Sequence, residues 1–552
     1  MTSLDGSSNV AIVQRPTDIV LRAVHAIAMK PILAAMFFSG IVLMFALPRI
    51  DFHADEAIYL RGVPMNVSND SGLVFHLSYM GASLGIPTPI SARWTSLLFG
   101  LVFIFSATRT MQILMPKHSS LIAWIVPFSI AISYQGVFSI LRVRPEISWI
   151  AITGVCCWSL AELHVKDRMP FRILLLIALA VLPMNHILSW FACFYLAIYI
   201  VLFASQQFGL RMTMACVVAM AIGALLNNAI RSWVVQGNIT WLPSVGSLAT
   251  GPKPSLKEFA WNVYWNSPVF LNDSASTRNL WQQLLPEKIS GYMSHCMVST
   301  VLWVFALPLP LVMKTWRSRY VSSIPLFTLG LFYGSGYFNP TYAPLLILYG
   351  VCVAIYVAFD SQKQRSHRFT RPYAAIILVV STLNGLSFLT TRVFNHGTAT
   401  FFEMESLLRS EVAKMRSDSV IAIPERFLSI TAGNPVRAYT LFKDVLPDKI
   451  DLVILDNYDF EMYRFVPDYE AKRFAIEELL SRHDNPLVLH RQVYKREVLR
   501  PDVQANQSIA ACQGSWFFRN SVDYRVTLLR DSPSTYRPDY ARETSQPNLI
   551  QR

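Results

Sequence analysis

A polytopic α-helical membrane protein with a soluble α/β domain at its C-terminal end is the fold class this sequence predicts, on three observations. Of the 552 residues, 53% are hydrophobic and only 15% charged. The mean hydropathy is +0.37, a balance typical of membrane chains rather than soluble globules. The apolar residues gather into long runs, approaching the roughly 20 residues that cross a hydrocarbon core as a helix. Past residue 400 the pattern changes to short apolar runs between polar stretches, which reads as strands and amphipathic helices.

About eleven spans are expected, over 31–48, 94–115, 121–141, 147–164, 171–184, 187–204, 212–230, 296–313, 320–335, 340–359 and 373–391. Within 171–204 only Pro183, Asn185 and His186 mark the break between two spans. Charge supplies an independent check. Arg15, Arg22 and Lys30 precede the first run, which predicts a cytoplasmic N-terminus. Alternation then puts Arg109 and Lys117, Lys166, Arg168 and Arg172, Arg211, Lys314, Arg317 and Arg319, and Lys363 to Arg371 on the same side. The opposite short loops, 184–186 and 336–339, hold neither Lys nor Arg, as the positive-inside rule requires. The net charge of +13 lies in this part: residues 1–399 hold about 27 Lys and Arg against about 13 Asp and Glu, while 400–552 are near balance. Such an excess belongs to cytoplasmic loops and does not imply nucleic acid as a partner.

The chain therefore divides into a cytoplasmic segment, 1–30, a membrane domain, 31–394, and an extracytoplasmic α/β domain, 395–552. Two outer segments interrupt the membrane domain, at about 49–93 and 231–295. The second carries Trp233, Trp241, Trp261, Tyr264, Trp265, Trp281 and Tyr292, a frequency that suits an interfacial or re-entrant element. In the tail, Phe402 to Arg416 reads as a helix, as does 468–482. Ser419 to Pro424, Leu452 to Asp456, Leu487 to Leu489 and Val526 to Leu529 read as strands. No glycine-rich phosphate-binding fingerprint accompanies them, and the residues after Tyr540 read as disordered. Six of the seven cysteines (Cys156, Cys157, Cys193, Cys216, Cys296 and Cys352) lie in apolar runs, where cysteine behaves as a small hydrophobe. No cleavable signal peptide is expected at the N-terminus. Five glycosylation-type triplets, at Asn66, Asn69, Asn238, Asn272 and Asn506, all fall on the expected outer side.

The stretch Asp51-Phe52-His53-Ala54-Asp55-Glu56-Ala57-Ile58-Tyr59 follows the first span almost directly. Three carboxylates and a histidine at a membrane exit read either as an exposed acidic loop or as a site. A second feature favours the site. Arg142-Val143-Arg144-Pro145-Glu146 puts two arginines on the side the positive-inside rule leaves poor in them, and an arginine at a span end needs lipid headgroups or an anion. Arg49, alone at the end of span one, reads as interfacial.

Together these features resemble the GT-C superfamily of membrane glycosyltransferases, in particular the branch holding the protein O-mannosyltransferases and the lipid A aminoarabinose transferase. Asp55-Glu56 stands where those enzymes carry an Asp-Glu pair after span one. Arg144-Pro145-Glu146 is similar to their short Arg/Pro/acid motif near the third and fourth spans. Tyr337-Phe338-Asn339-Pro340-Thr341-Tyr342-Ala343-Pro344 is similar to the start of their late span, without the arginine that usually precedes its tyrosine. The soluble domain after the last span matches the bacterial branch in layout.

The resemblance implies a polytopic GT-C-like fold. It also implies transfer of a sugar from a polyprenyl-phosphate donor to an acceptor on the non-cytoplasmic face, with inversion at the anomeric carbon. In that scheme Asp55 is the general base. Arg142 and Arg144, with Arg61 and His186 behind them, hold the donor phosphate, a task suited to a fixed charge with forked donors. Glu56, His53, Glu146, Asn339 and Tyr342 contact the sugar. The set Asp55, Glu56 and His53 also offers ligands to a divalent metal, but its spacing matches no metal motif and the requirement stays open. A glycan, glycolipid or protein hydroxyl is the acceptor, with a cell-envelope polysaccharide or lipid favoured by the layout. The alternative is a polytopic transporter or flippase with an outer accessory domain. That reading predicts ionisable residues in mid-span and repeated, interrupted helices.

Overall fold

The computed structural model describes residues 31–47, 88–132, 140–141, 146–185, 189–236, 401–431, 436–441, 444–447, 449–456, 469–481, 487–494 and 521–530, with single positions at 239, 320, 323, 372 and 375. The four spans expected between 296 and 391 lie outside these residues, apart from single positions. The 1–30 segment, most of both expected outer segments, the five Asn triplets and the stretch after Tyr540 lie outside them too.

The first seven expected spans fall on helices. These are α1 (Pro31–Ala46), α2 (Thr88–Leu114), α3 (Ser119–Ile132), α4 (Glu146–Val165), α5 (Met169–Val181), α6 (Ser189–Tyr199) and α7 (Ser205–Gln236). Three stretches are long and apolar enough to cross a membrane: Arg93–Leu114, Ile147–Val165 and Ser205–Ile230. Shorter apolar helical stretches cover Pro31–Ala46, Met169–Met184 and Ala192–Leu202. Proline stands at the first position of α1 and near the starts of α2 and α5, where its missing N–H costs no intrahelical bond.

Three boundaries differ from the sequence expectation. α2 begins at Thr88, so Arg93 belongs to a helix and not to the loop expected to end there. α7 runs on to Gln236, which takes Trp233 out of the segment expected to start at 231. Helix α6 passes through a π-helical turn, Ile200–Ala204, straight into Ser205. The reversal expected near Arg211 falls inside α7, at Gly209 (φ 74°), a backbone state that a residue without Cβ adopts at little cost.

Packing within the helices is arranged for an apolar surrounding. Most of α4 is buried and carries small or polar residues inward, among them Ser148, Thr153, Ser159 and His164. α7 instead exposes Leu210, Met214, Val217, Val218, Ile222, Leu225, Leu226 and Ile230, an apolar face far larger than water tolerates on a monomer. Hydroxyls bond within their own helices: Thr108 Oγ1 donates to the Ile104 carbonyl (2.6 Å), and Thr153 Oγ1 to that of Trp149 (2.8 Å). Such back-bonding satisfies a hydroxyl where no water is at hand.

Small residues set the register between helices. A Cβ on Gly154 would sit 3.2 Å from Phe103 Cδ2 and 3.4 Å from Ser106 Cβ. Farther along the same pair, Arg109 Nη2 reaches Glu162 Oε1 at 3.1 Å. α2 and α4 therefore run parallel, side by side, with α3 connecting them elsewhere. α5 runs antiparallel to α4, its Phe171 ring meeting Trp158 edge-on at 5.5 Å. Gly100 receives Ile140, three of whose side-chain carbons lie within 3.0 Å of where a Cβ would stand.

Gly100→Val is therefore expected to force Ile140 out of its seat, at about 1–3 kcal/mol for overpacking. Ile140→Ala in the same chain should recover most of the loss. Thermal unfolding of the purified protein in detergent reads both, and an unaltered midpoint for the single variant would contradict this seat.

The tail builds a five-stranded mixed sheet in the order β2-β1-β3-β5-β4. Its strands are β1 (Val420–Ile423), β2 (Arg437–Thr440), β3 (Leu452–Asp456), β4 (Leu487–Tyr494) and β5 (Ser521–Arg530). β1 pairs in parallel with β2 and β3, while β5 runs antiparallel to β3 and β4. Alternate residues of β1 and β3 divide between two buried clusters. Ile421, Ile423, Leu452 and Ile454 join Leu408 and Val412 of α8 (Phe401–Ala413), and Phe427 and Leu428 of the 3-10 segment Glu425–Thr431. Ala422, Val453 and Leu455 join Ile476 of α9 (Tyr469–Ser481). The sheet is covered on both faces, which explains why β1 and β3 read as unbroken apolar runs. β2 escapes sequence detection because it is an edge strand, Arg-Ala-Tyr-Thr, with one end exposed.

Candidate functional site

Arg93 is the most unusual side chain of the helical part. It is fully buried, and its Nη1 donates to the carbonyl oxygen of Leu47 at 2.8 Å. Leu47 follows α1 directly, and the last carbonyls of a helix have no intrahelical partner. The negative end of the α1 dipole thus meets a cation supplied by α2. Leu47 is also the last described residue before the stretch that carries Asp51, His53, Asp55 and Glu56.

The helix register brings other flanks to this same end. Arg93 stands as far before Arg109 as Glu146 stands before Glu162, and Arg109 and Glu162 are bonded. On parallel helices this puts Glu146, the first residue of α4, level with Arg93. Ile140 and Leu141, buried where Ile140 packs on Gly100, lead into Arg142. The antiparallel α5 brings Asn185, the residue before His186, back to this end. His53, Asp55, Glu56, Arg61, Arg142, Arg144, His186, Asn339 and Tyr342 themselves lie outside the described residues.

Some of the buried polar atoms without partners among the described residues stand here, while Ser39 Oγ, Ser159 Oγ and the Tyr320 hydroxyl stand elsewhere. Ser96 Oγ, Trp149 Nε1 and Asn185 Oδ1 have no hydrogen-bond partner among the described residues. Ser96 lies one turn past Arg93, and Trp149 one turn past Glu146. Asn185 spends its Nδ2 on the Val181 and Leu182 carbonyls at 2.8 and 3.2 Å, which leaves its oxygen as an acceptor. An unsatisfied buried donor or acceptor costs about 1–3 kcal/mol, and a group of them at one end of a bundle marks a place where a polar ligand would relieve the cost. None of the four (Arg93, Ser96, Trp149, Asn185) stands out by motif in the sequence. Arg93 carried the one available signal, a lone basic residue at the start of an apolar run.

At the opposite end of the bundle His164, Gln207 and Tyr199 bond to one another, while the buried Tyr320 hydroxyl has no hydrogen-bond partner among the described residues. His164 Nδ1 meets the Gln207 side-chain oxygen, and Nε2 lies 3.2 Å from the Tyr199 hydroxyl. Gln207 Nε2 returns a bond to the His164 carbonyl at 3.0 Å. With the Gln207 oxygen accepting, the proton belongs on Nδ1 and the tyrosine donates to Nε2. Tyr320 packs on Tyr199 with ring centroids 4.8 Å apart, and Tyr195 shares a 2.7 Å bond with Ser323. Asp167, in the exposed link between α4 and α5, is held below the usual carboxylate range by hydrogen bonds from Arg172. Cys156, Cys157, Cys193 and Cys216 are buried free thiols. Among the described residues no three His, Cys, Asp or Glu side chains come together as a metal site.

No family model matches the chain, and no curated protein does. Solved structures similar to it include two of ArnT. One is the crystal structure of ArnT from Cupriavidus metallidurans bound to undecaprenyl phosphate, 9% identical, covering 92% of this chain and 99% of that one, with a TM-score of 0.48. The other is ArnT from the same organism in the apo state, 12% identical, covering 95% and 99%, with a TM-score of 0.45.

Proposed function

We propose that this chain is an inverting membrane glycosyltransferase that moves a sugar from a polyprenyl-phosphate donor to a cell-envelope polysaccharide or lipid on the non-cytoplasmic face. The observation that carries the reading is the convergence of functional flanks at one end of the bundle. Leu47, from which the chain continues to Asp55-Glu56, Glu146, which follows Arg142 and Arg144 in the chain, and Asn185, the residue before His186, all lie there. Buried Arg93 and the partnerless Ser96, Trp149 and Asn185 atoms lie at the same end.

In this reading the acceptor hydroxyl gives its proton to the Asp55 carboxylate while its oxygen bonds to the anomeric carbon from the face opposite the phosphate. The bond from that carbon to the phosphate oxygen breaks, and the polyprenyl phosphate leaves with the electron pair. Arg142 and Arg144 stabilise the charge that develops on it. Trp149 Nε1 donates to a sugar hydroxyl and Asn185 Oδ1 accepts from one, each gaining the partner it lacks. Glu56, His53, Glu146, Asn339 and Tyr342 complete the sugar contacts. The N-terminus is cytoplasmic and the α/β unit lies outside.

The purified protein, reconstituted in liposomes with a radiolabelled polyprenyl-phosphate sugar and acceptor lipid or glycan, should form labelled product and free polyprenyl phosphate in equal amounts. Passage of the labelled donor or a solute across the bilayer without product would replace the reading by a transporter or flippase. The buried His164 network, with an ionisable group inside a helix bundle, is the feature that reading would use.

A further inference from the structure

The end of the bundle that holds His164 carries a cationic surface that the proposed reaction does not use. The link between α4 and α5 exposes Lys166, Asp167 and Arg168. Its carboxylate is already committed, since Arg172 Nε donates to Asp167 Oδ1 at 2.6 Å. Lys166 and Arg168 have no acidic partner among the described residues. Arg211 of α7 joins them by register. The bonds between His164 and Gln207 bring the end of α4 to the start of α7, and α5 starts at that end too, so α5 and α7 run parallel. They meet where a Cβ on Gly223 would overlap the Ala180 carbonyl. Arg168 and Arg211 each stand twelve residues before that contact, about 18 Å back along either helix. Arg211 is exposed and likewise without an acidic partner among the described residues. The positive ends of two helix dipoles add to these charges. α5 has no acidic residue in its first turn and no side-chain cap at Arg168, and α7 resumes its helix after Gly209.

Exposed apolar side chains begin at the same level. Met169, Ile173 and Ile177 recur every four residues along α5, and Leu210, Met214 and Val218 along α7. Residues four apart share one face of a helix, so each stripe leads from the cations toward the middle of its helix. We propose that this surface is a docking site for an anionic phospholipid. Lys166, Arg168 and Arg211 meet its phosphate, and its acyl chains lie along the two stripes. Charge complementarity selects this occupant. A zwitterionic lipid brings a cation of its own, whereas a net anion answers the three cations and both helix N-termini. The guanidinium fork suits phosphate oxygens. The site lies at the far end of the bundle from the proposed sugar transfer and does not depend on that reading.

The test counts lipid on the purified, delipidated full chain by native mass spectrometry, with phosphatidylglycerol titrated against phosphatidylcholine. Lys166→Gln/Arg168→Gln/Arg211→Gln is expected to bind phosphatidylglycerol about 100-fold more weakly than the wild type, at about fivefold for each basic residue near a membrane surface. Phosphatidylcholine should bind both proteins alike and weakly. The charge-preserving variant Lys166→Arg/Arg168→Lys/Arg211→Lys should stay within about fivefold of the wild type. Arg416→Gln/Arg437→Gln/Arg473→Gln removes three exposed charges from the α/β unit. This control changes the net charge equally and should leave affinity within about twofold, since distant charges are screened. An equal loss in the control, equal affinity of the wild type for both lipids, or wild-type affinity in the first variant each overturns the site. So does displacement of the lipid by millimolar inorganic phosphate, which would mark a phosphate site and no lipid site. If the first variant does not fold, the three single Gln variants decide: about fivefold loss in each supports the site, and wild-type affinity in any two overturns it.

Discussion

Replacing Asp55 with Asn is expected to lower kcat for sugar transfer by about 10²–10⁴-fold, the usual contribution of a positioned general base. The substitution keeps size and hydrogen-bonding reach but removes the proton-accepting charge, so donor KM should change little. A mutation that lowers kcat and kcat/KM together removes an interaction made only in the transition state. Asp55 is singled out because it is paired with Glu56 directly after a span. Asp51 serves as an internal comparison, since Asp51→Asn should retain most activity if it is only an exposed carboxylate. The measurement is single-turnover transfer from a labelled polyprenyl-phosphate donor at matched protein levels. Full activity in Asp55→Asn would sink the assignment of the base.

The largest structural effect is expected at Gly223. A Cβ there would overlap the carbonyl oxygen of Ala180, and would lie 2.7 Å from its carbonyl carbon and 2.9 Å from Pro183 Cγ. Two of those three atoms are backbone, which cannot rotate away as a side chain can. Gly223→Ala must therefore push α5 and α7 apart, and Asn185, two residues past Pro183, would move with α5. A cost of about 3 kcal/mol or more follows, the upper end of overpacking penalties. Gly40→Ala is the control. Its Cβ would meet only Leu101 Cδ2, at 4.0 Å, and removing a mid-helix glycine should stabilise by about 0.5–1 kcal/mol. Thermal midpoints of the two variants in one detergent should shift in opposite directions, and a Gly223→Ala protein as stable as the wild type would refute the close approach.

Much of the secondary structure was legible because each element carries its own signal. Runs such as Pro31–Ala46 have few polar residues at all, so a helix is the only way to satisfy their backbone in an apolar medium. Ile421 to Ile423 and Leu452 to Leu455 read as strands because both of their faces are buried. β2 did not, since an edge strand needs no apolar pattern. The start of α2 was misjudged because hydropathy detects the apolar part of a helix, and Thr88 to Arg93 is polar enough to resemble loop.

By itself the sequence determined which segments are apolar enough to leave water, how their basic ends alternate, and where carboxylates and arginines stand relative to those ends. These are local properties, set by composition over a few turns. Only the tertiary structure decided that α2 and α4 are parallel neighbours, that Ile140 seats on Gly100, and that Arg93 turns inward to the carbonyl of Leu47. Each of these depends on a contact between residues tens of positions apart, where the deciding quantity is the space left by a missing Cβ or the direction of one carbonyl. Composition and periodicity carry no record of either.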